Sequence, residues 1–333
     1  SDSKFLQALP VLSWVWRCGR RTQFDWLVRR FLIACLLYGD QVRDACRLGE
    51  DSVKAYASGP QHAGFLFLLG EVYVALGQTL KSEAGSTEEG RSALRRACEL
   101  YSAADALQPG NKRMYTSWIY CLNMTMDDPA AECLRVAHQA IRHCRGFWVH
   151  PLQRPSFMVP GLASSPWHDP AAFPWIRRLE ESWLRIRAEM EALEADGAAG
   201  GVHGEGWAEV SAHDRSLTNG AGRWREYPVL GMGEEDARRR CPFTHGLLSD
   251  IEGVRSHADL RHNEETALFS RLTPGTHLKA HCGPSNLHLT CHLGLRIPGG
   301  CRIRAGAEAR AWEEGRCMVF DDSYEHEVWH DGD

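Results

Sequence analysis

Along the first half of the chain, apolar residues recur every three or four positions. Leu94, Cys98, Tyr101, Ala104 and Leu107 form one such stripe, the spacing that lines one face of an α-helix. Pro109-Gly110 ends it, because proline removes a backbone donor and glycine frees the turn. Further stripes run through Tyr115, Trp118, Ile119 and Leu122, and through Leu134, Ala137 and Ile141. Helices of this length joined by short polar turns pack as antiparallel neighbours. From about Trp207 the period changes from helical to twofold. Asn286 to Leu295 alternates, with Leu287, Leu289, Cys291, Leu293 and Leu295 expected on one face and His288, Thr290, His292 and Gly294 on the other. Pro298-Gly299-Gly300 makes a turn, Cys301 to Ala305 alternates again, and Cys317-Met318-Val319-Phe320 reads as a core strand.

Between the two regimes, residues 146–170 are dense in Pro, Gly, Trp and His, which forbids a regular helix and predicts an ordered connector. Asp169-Pro170, or Pro174, opens the next helix. Its apolar face is Ile176, Leu179, Trp183, Ile186, Met190 and Leu193, and Asp196 to Gly201 reads as a flexible turn. The expected division is therefore 1–145 helical, 146–205 connector and helix, and 206–333 an antiparallel β domain. The class is α+β, with the strands forming a jelly roll or double-stranded β-helix. Ala106-Leu107-Gln108-Pro109-Gly110-Asn111 followed by Tyr115 resembles the junction between tetratricopeptide repeats, so the helical part is expected to be tetratricopeptide-like, with a generic bundle as the alternative.

Bulk properties narrow the partners. A length of 333 residues has room for two cores, and 44% hydrophobic with 24% charged residues is ordinary for a globular chain. A net charge of −5 without a basic run argues against nucleic acid. The 12 cysteines include no CxxC pair, so buried free thiols are expected rather than a zinc ribbon or disulfide scaffold. The early apolar run Phe31 to Leu37 is too short to cross a membrane and reads as a core helix. No membrane span is expected. The chain opens on Ser1, which leaves an upstream anchor, and with it a lumenal rather than cytoplasmic location, open.

The candidate chemistry lies in the last fifty or so residues, at His281 in His281-Cys282-Gly283 and His326 in Asp321-Asp322-Ser323-Tyr324-Glu325-His326. Two imidazoles at one end of a β sandwich suit a divalent transition metal. The common non-haem iron arrangement adds a carboxylate two residues after the first histidine, and here that residue is Gly283. The surrounding pieces are Pro274-Gly275-Thr276-His277, Gly283-Pro284, Asn286, His292-Leu293-Gly294-Leu295, Trp312-Glu313-Glu314-Gly315 and Phe320-Asp321-Asp322-Ser323. With them go His150-Pro151-Leu152-Gln153-Arg154-Pro155, Pro160-Gly161-Leu162 and Pro166-Trp167. Together they resemble the aspartyl/asparaginyl β-hydroxylases, a branch of the Fe(II)/2-oxoglutarate oxygenases in which glycine at that position is usual.

The resemblance implies a cupin-like core and a peptide-aspartate β-hydroxylase type of dioxygenase. In it, Fe(II) on His281 and His326 and the co-substrates 2-oxoglutarate and O₂ hydroxylate Asp or Asn side chains of a protein or peptide substrate. It implies that Ser270, Leu272 and His292 line the co-substrate pocket and that Asp322 acts on a metal-bound water. In animal members an arginine stands two residues before the counterpart of His292, where this chain has Thr290. Members also continue past the second histidine with a strand bearing a further arginine, so a C-terminally truncated core is the expectation here. Two other readings stay open: an oxygenase-like interaction protein without turnover, and a small-molecule or lipid hydroxylase.

Overall fold

In the computed structural model, which describes residues 24–84, 88–195, 207–215, 217–219, 222–260 and 265–332, the apolar stripes of the first half become helices. These are α1 (Asp25–Tyr38), α2 (Val42–Ala55), α3 (His62–Ala84), α4 (Glu88–Leu107), α5 (Lys112–Thr125) and α6 (Ala130–His143), each packed on the next. The chain is α+β and separates into residues 1–154 and residues 155–333. The predicted stop after α4 is present. Gly110 takes φ +100°, and the Asn111 side chain caps α5 by accepting from the Met114 N–H at 3.3 Å.

Two stripes sit slightly differently from the spacing. Leu107 is exposed, being the last residue of α4. On α6 the buried face is Cys133, Val136, Ala137 and Ala140, with Ile141 at its margin. The long apolar helix is α3 rather than the Phe31–Leu37 run. Its segment His62–Lys81 is long and apolar enough, by length and composition alone, to cross a membrane. In the fold it is a core helix. Phe65, Leu66, Leu69 and Val72 are buried, and Gly70 and Gly77 admit the Tyr101 ring and Leu94 of α4 so closely that a Cβ would collide. Glu71, on the same helix, accepts from the Tyr101 hydroxyl at 2.6 Å and from Arg113 at 2.6 Å.

The second unit is layered. Its elements are β1 (Trp167–His168), α7 (Ile176–Ala195), β2 (Ala208–Glu209), α8 (Ala212–Arg215), β3 (Trp224–Gly231), α9 (Glu234–Arg240), α10 (Pro242–Ser249) and α11 (Glu252–Leu260). Then come β4 (Glu265–Leu272), β5 (His277–His281), β6 (Thr290–Leu293), β7 (Cys301–Ala305), β8 (Glu308–Ala311), β9 (Cys317–Phe320) and β10 (His326–His330). Among the described residues, three antiparallel sheets have the orders β1-β9-β6, β5-β10-β7-β8 and β2-β3-β4.

Strand β9 explains the layering, since all four of its residues are buried. Cys317 and Val319 face a cluster with Ile176, Leu179, Ile186, Met190 and Leu193 of α7. Met318 and Phe320 face the other way, onto Leu278, Ile303, Ala305 and Val328 of the four-stranded sheet. A strand covered on both faces reads as a continuous apolar run rather than an alternation.

Helix α7 is pinned to a neighbouring helix and to strand β9 by its glutamates. Glu189 accepts from the Phe243 and Thr244 N–H groups and from the Thr244 hydroxyl at 3.0, 2.8 and 2.6 Å, capping α10. Glu180 accepts from the Cys317 N–H at 2.9 Å. The helix starts at Ile176. Asp169 instead caps a short 3-10 turn, Pro170–Ala172, by accepting from the Ala171 N–H at 2.9 Å. The expected turn at Asp196 to Gly201 lies outside the described residues.

The alternation expected over Asn286 to Leu295 holds only from Thr290. Leu287 is 56% exposed and Leu289 39% exposed, and β6 begins after them. The reason is Asn286. Its buried side chain accepts from the Val159 N–H at 2.8 Å and donates to the Val159 carbonyl at 2.9 Å. That pair laces residues 283–289 to the connector as a loop. All described cysteines are free thiols.

Candidate functional site

His281 ends β5 and His326 begins β10, the adjacent strand, and the two residues are directly opposed. Counting along the strands shows how both rings reach the same side. Val328 opposes Leu278 and both are buried, while His326 opposes His281. From the buried pair to the histidine pair is an even step on β10 but an odd one on β5, which a regular ladder would turn outward. A bulge absorbs the extra residue and rotates His281 back inward.

The two ring centroids are then 4.1 Å apart. Two imidazolium charges at about 4 Å would repel by roughly 4 kcal/mol at an effective dielectric of 20, so the two rings are not charged together. His326, buried, has its pKa pushed down to about 3, by burial first and by the nearness of His281 second. Each ring's tautomer is set by a backbone carbonyl two residues earlier. His281 Nδ1 is 2.7 Å from the Lys279 carbonyl and His326 Nδ1 is 3.0 Å from that of Tyr324. A carbonyl only accepts, so both Nδ1 atoms carry the proton and both Nε2 atoms carry the lone pair.

The two aspartates before His326 divide their roles. Asp321 is fully employed: its side chain accepts from Ser164 Oγ at 2.6 Å and from the Ser323 N–H and hydroxyl at 3.0 and 2.5 Å. It shapes the turn. Asp322 Oδ1 is buried without a hydrogen-bond partner, and Oδ2 is 3.5 Å from His288 Nε2. The Asp322 carboxylate also fills the space beside Gly283. A Cβ on residue 283 would lie 2.6 Å from Asp322 Cγ and 2.7 Å from each carboxylate oxygen. The Gly283 N–H donates to the Asp322 carbonyl at 2.7 Å, so the two backbones are locked together there. The carboxylate expected at 283 therefore has a spatial substitute, contributed by a distant part of the chain. Among the described residues, no three His, Cys, Asp or Glu side chains converge as a ligand set. Asp322 stands off from the imidazole pair.

The other singled-out residues fall around the same core. His292 stacks on Trp312 (6.0 Å, 23°) and meets the Phe320 edge (5.0 Å), while Phe320 is 5.7 Å from His326. Burial pushes the His292 pKa down to about 4, with Asp322 opposing the shift. Leu272 packs on the cluster that holds Phe320. Ser270 is exposed on β4, where its oxygen accepts from Trp224 Nε1 at 2.9 Å. Thr290 opposes Phe320. Sequence reasoning missed the Gly283–Asp322 contact and the approach of His288 to Asp322, for which no local signal exists.

The His292 shift has a measurable sign. Its native pKa lies below its unfolded one, so between about pH 4 and 6.5 the unfolded chain binds more protons and stability rises with pH. The contribution is complete above pH 6.5 and lost on acidification, up to about 3 kcal/mol by pH 4. Thermal unfolding of the His292→Gln variant is expected to show a shallower fall of Tm across that window than the parent. An unchanged slope would refute the assignment.

The site is thus a pair of opposed histidines on adjacent antiparallel strands of an α+β chain, with Asp322 beside Gly283. Residues 180–333 match the family model for aspartyl/asparaginyl β-hydroxylase. The mouse (Mus musculus) aspartyl/asparaginyl β-hydroxylase is 36% identical over 198 residues, covering 57% of this chain and 24% of the mouse protein. An ornithine lipid ester-linked acyl 2-hydroxylase from Rhizobium tropici is 33% identical over 177 residues, covering 52% of this chain and 58% of that protein. An aspartate β-hydroxylase domain-containing protein 2 from Xenopus tropicalis is 31% identical over 191 residues, 54% of this chain and 47% of the relative. The match thus spans a quarter to little more than half of these relatives' own lengths.

Proposed function

We propose that this chain is an Fe(II)- and 2-oxoglutarate-dependent dioxygenase that hydroxylates Asp or Asn side chains of a protein substrate. The carrying observation is the imidazole pair, opposed across two strands with both Nδ1 atoms tied to carbonyls. The residues fit a divalent ion. Two neutral nitrogen donors face one site, and a buried carboxylate oxygen, Asp322 Oδ1, lacks a hydrogen-bond partner that a metal-bound water would supply. Two facing antiparallel sheets support the double-stranded β-helix reading of the core, and the serial packing of α1 to α6 is compatible with tetratricopeptide-like pairs.

In this reading His281 and His326 hold the iron, which when bound supplies oxidative decarboxylation of 2-oxoglutarate coupled to substrate C–H hydroxylation. Asp322, seated where a side chain at 283 would lie, would hold a water through its unpartnered Oδ1. Trp312 and Phe320 fix the His292 ring beside the site, and Trp224 directs the Ser270 hydroxyl by donating to its oxygen. Leu272 and Phe320 keep the interior apolar, which strengthens every electrostatic contact made there.

The lipid-hydroxylase relative supports a second reading, in which the acceptor is an acyl chain. One experiment separates them. With iron and 2-oxoglutarate under air, succinate release is measured with Asp- or Asn-bearing peptides and with ester-linked lipids, and products are weighed for one added oxygen. Peptide-stimulated release with a hydroxylated Asp or Asn is the expected result. Stimulation by lipid alone would replace the protein substrate with a lipid. Binding of iron and 2-oxoglutarate without release of succinate would favour an interaction protein.

A further inference from the structure

The bulge that turns His281 inward also interrupts the β5–β10 ladder beside the two rings. The regular ladder is broken there, where the separation of the rings matters most. On the face of the sheet opposite Ile303 and Val328, a chain of charged groups crosses the same strands. Arg304 of β7 donates from Nη2 to Glu325 Oε1 at 3.0 Å and to Glu327 Oε2 at 2.9 Å, and from Nη1 to the Gly306 carbonyl at 2.7 Å. Its Nε adds a longer bond to Glu327 Oε2 at 3.3 Å. The other oxygen of Glu327 lies 2.8 Å from His277 Nε2 on β5.

The placement of these partners is informative. Glu325 and Glu327 flank His326 in the chain, Glu327 opposes Arg304, and Ala305 opposes His326. His277 belongs to the strand that ends in His281. One guanidinium thereby links the three strands around the imidazole pair. The link is shielded from solvent screening, with side-chain exposures of 21% for Arg304, 8% for Glu325 and 19% for Glu327. The neighbouring pair Arg302–Asp331 is about half exposed and sits at the far end of β10, where it bears on neither ring.

We propose that Arg304 is a positioning residue. Through Glu325, Glu327 and His277 it fixes the spacing of the two histidine-bearing strands across the bulge, and so sets the affinity and geometry of the site for a divalent metal. The proposal rests on the metal reading above. Groups that orient ligands from behind typically change metal affinity by about 10- to 100-fold when removed.

The test is an anaerobic Co(II) titration of the full chain, followed by the visible spectrum of the bound ion, with thermal unfolding of the metal-free protein recorded alongside. Arg304→Met is expected to weaken Co(II) binding about tenfold or more and to alter the spectrum at saturating metal. Loss of fold stability alone would not change that spectrum. Glu327→Gln should act in the same direction, and combining the two should add little, because they break one link. Arg304→Lys, which keeps the charge but not the fork, should fall between. Parental affinity and spectrum in Arg304→Met would overturn the proposal. If that variant does not fold, the same result in the isosteric Glu327→Gln overturns it. A parent chain that binds no Co(II) would remove the metal reading itself, and this proposal with it.

Discussion

His326→Ala is expected to weaken divalent-metal binding by at least about 100-fold, the larger end of what ligand-sphere changes produce, while the fold survives. Half of the donor set is lost, and the remaining His281 stands on β5, an edge strand of its sheet. The lost group is also the better buried of the two rings. Truncation leaves a void against Phe320, 5.7 Å away, at a cost of roughly 2–4 kcal/mol. That is within the stability range of an ordinary domain. Turnover at low iron should fall in step and recover in part as iron is raised, because affinity is lost before chemistry. Calorimetric titration with Co(II), together with turnover against iron concentration, checks this. Parental affinity in the variant would show that His326 is a structural histidine.

Restoring the carboxylate that most non-haem iron sites carry is expected to damage this one. In Gly283→Asp the new Cβ would meet the Asp322 carboxylate at 2.6–2.7 Å, well inside van der Waals contact. Two carboxylates forced to about 3 Å would also repel by some 5 kcal/mol at an effective dielectric of 20. One of them must leave, and the Gly283 N–H bond to the Asp322 carbonyl prevents the backbones from parting. The expected result is a fall in turnover of about 100-fold or more without any gain in metal affinity. The paired change Gly283→Asp with Asp322→Gly should recover part of the loss, since it removes the collision. Improved turnover in the single variant would refute the steric account.

How far these features can be read from residues alone depends on range. Strands β7 and β9 were legible because their patterns are local: Ile303 and Ala305 alternate with arginines, and Cys317 to Phe320 is continuously apolar. The Leu287–Leu289 alternation misled for the opposite reason. It is equally local, but Asn286 binds Val159 across more than a hundred residues and takes that stretch out of the sheet. His281 and His326 were legible as ring chemistry in a family-like setting, and the α4 and α5 stripes as helical periods. The rest required the third dimension. No spacing rule brings Asp322 against Gly283, links Trp224 to Ser270, or aligns Arg304 with both neighbours of His326. The exposed Leu107 and the shifted face of α6 show that a helical stripe predicts a face to within about one residue.

The bulge in β5 makes length part of the site's specification, alongside residue identity. Between Leu278 and His281 the strand holds one residue more than its partner needs, and the Lys279 carbonyl within it is the acceptor that fixes the His281 tautomer. Shortening this stretch by one residue would let the ladder close while still directing the imidazole inward. The composition of the site would be unchanged, yet the carbonyl would no longer be offered to Nδ1. Among relatives, a one-residue gap at this place would separate chains that merely keep both histidines from chains that also keep them aimed.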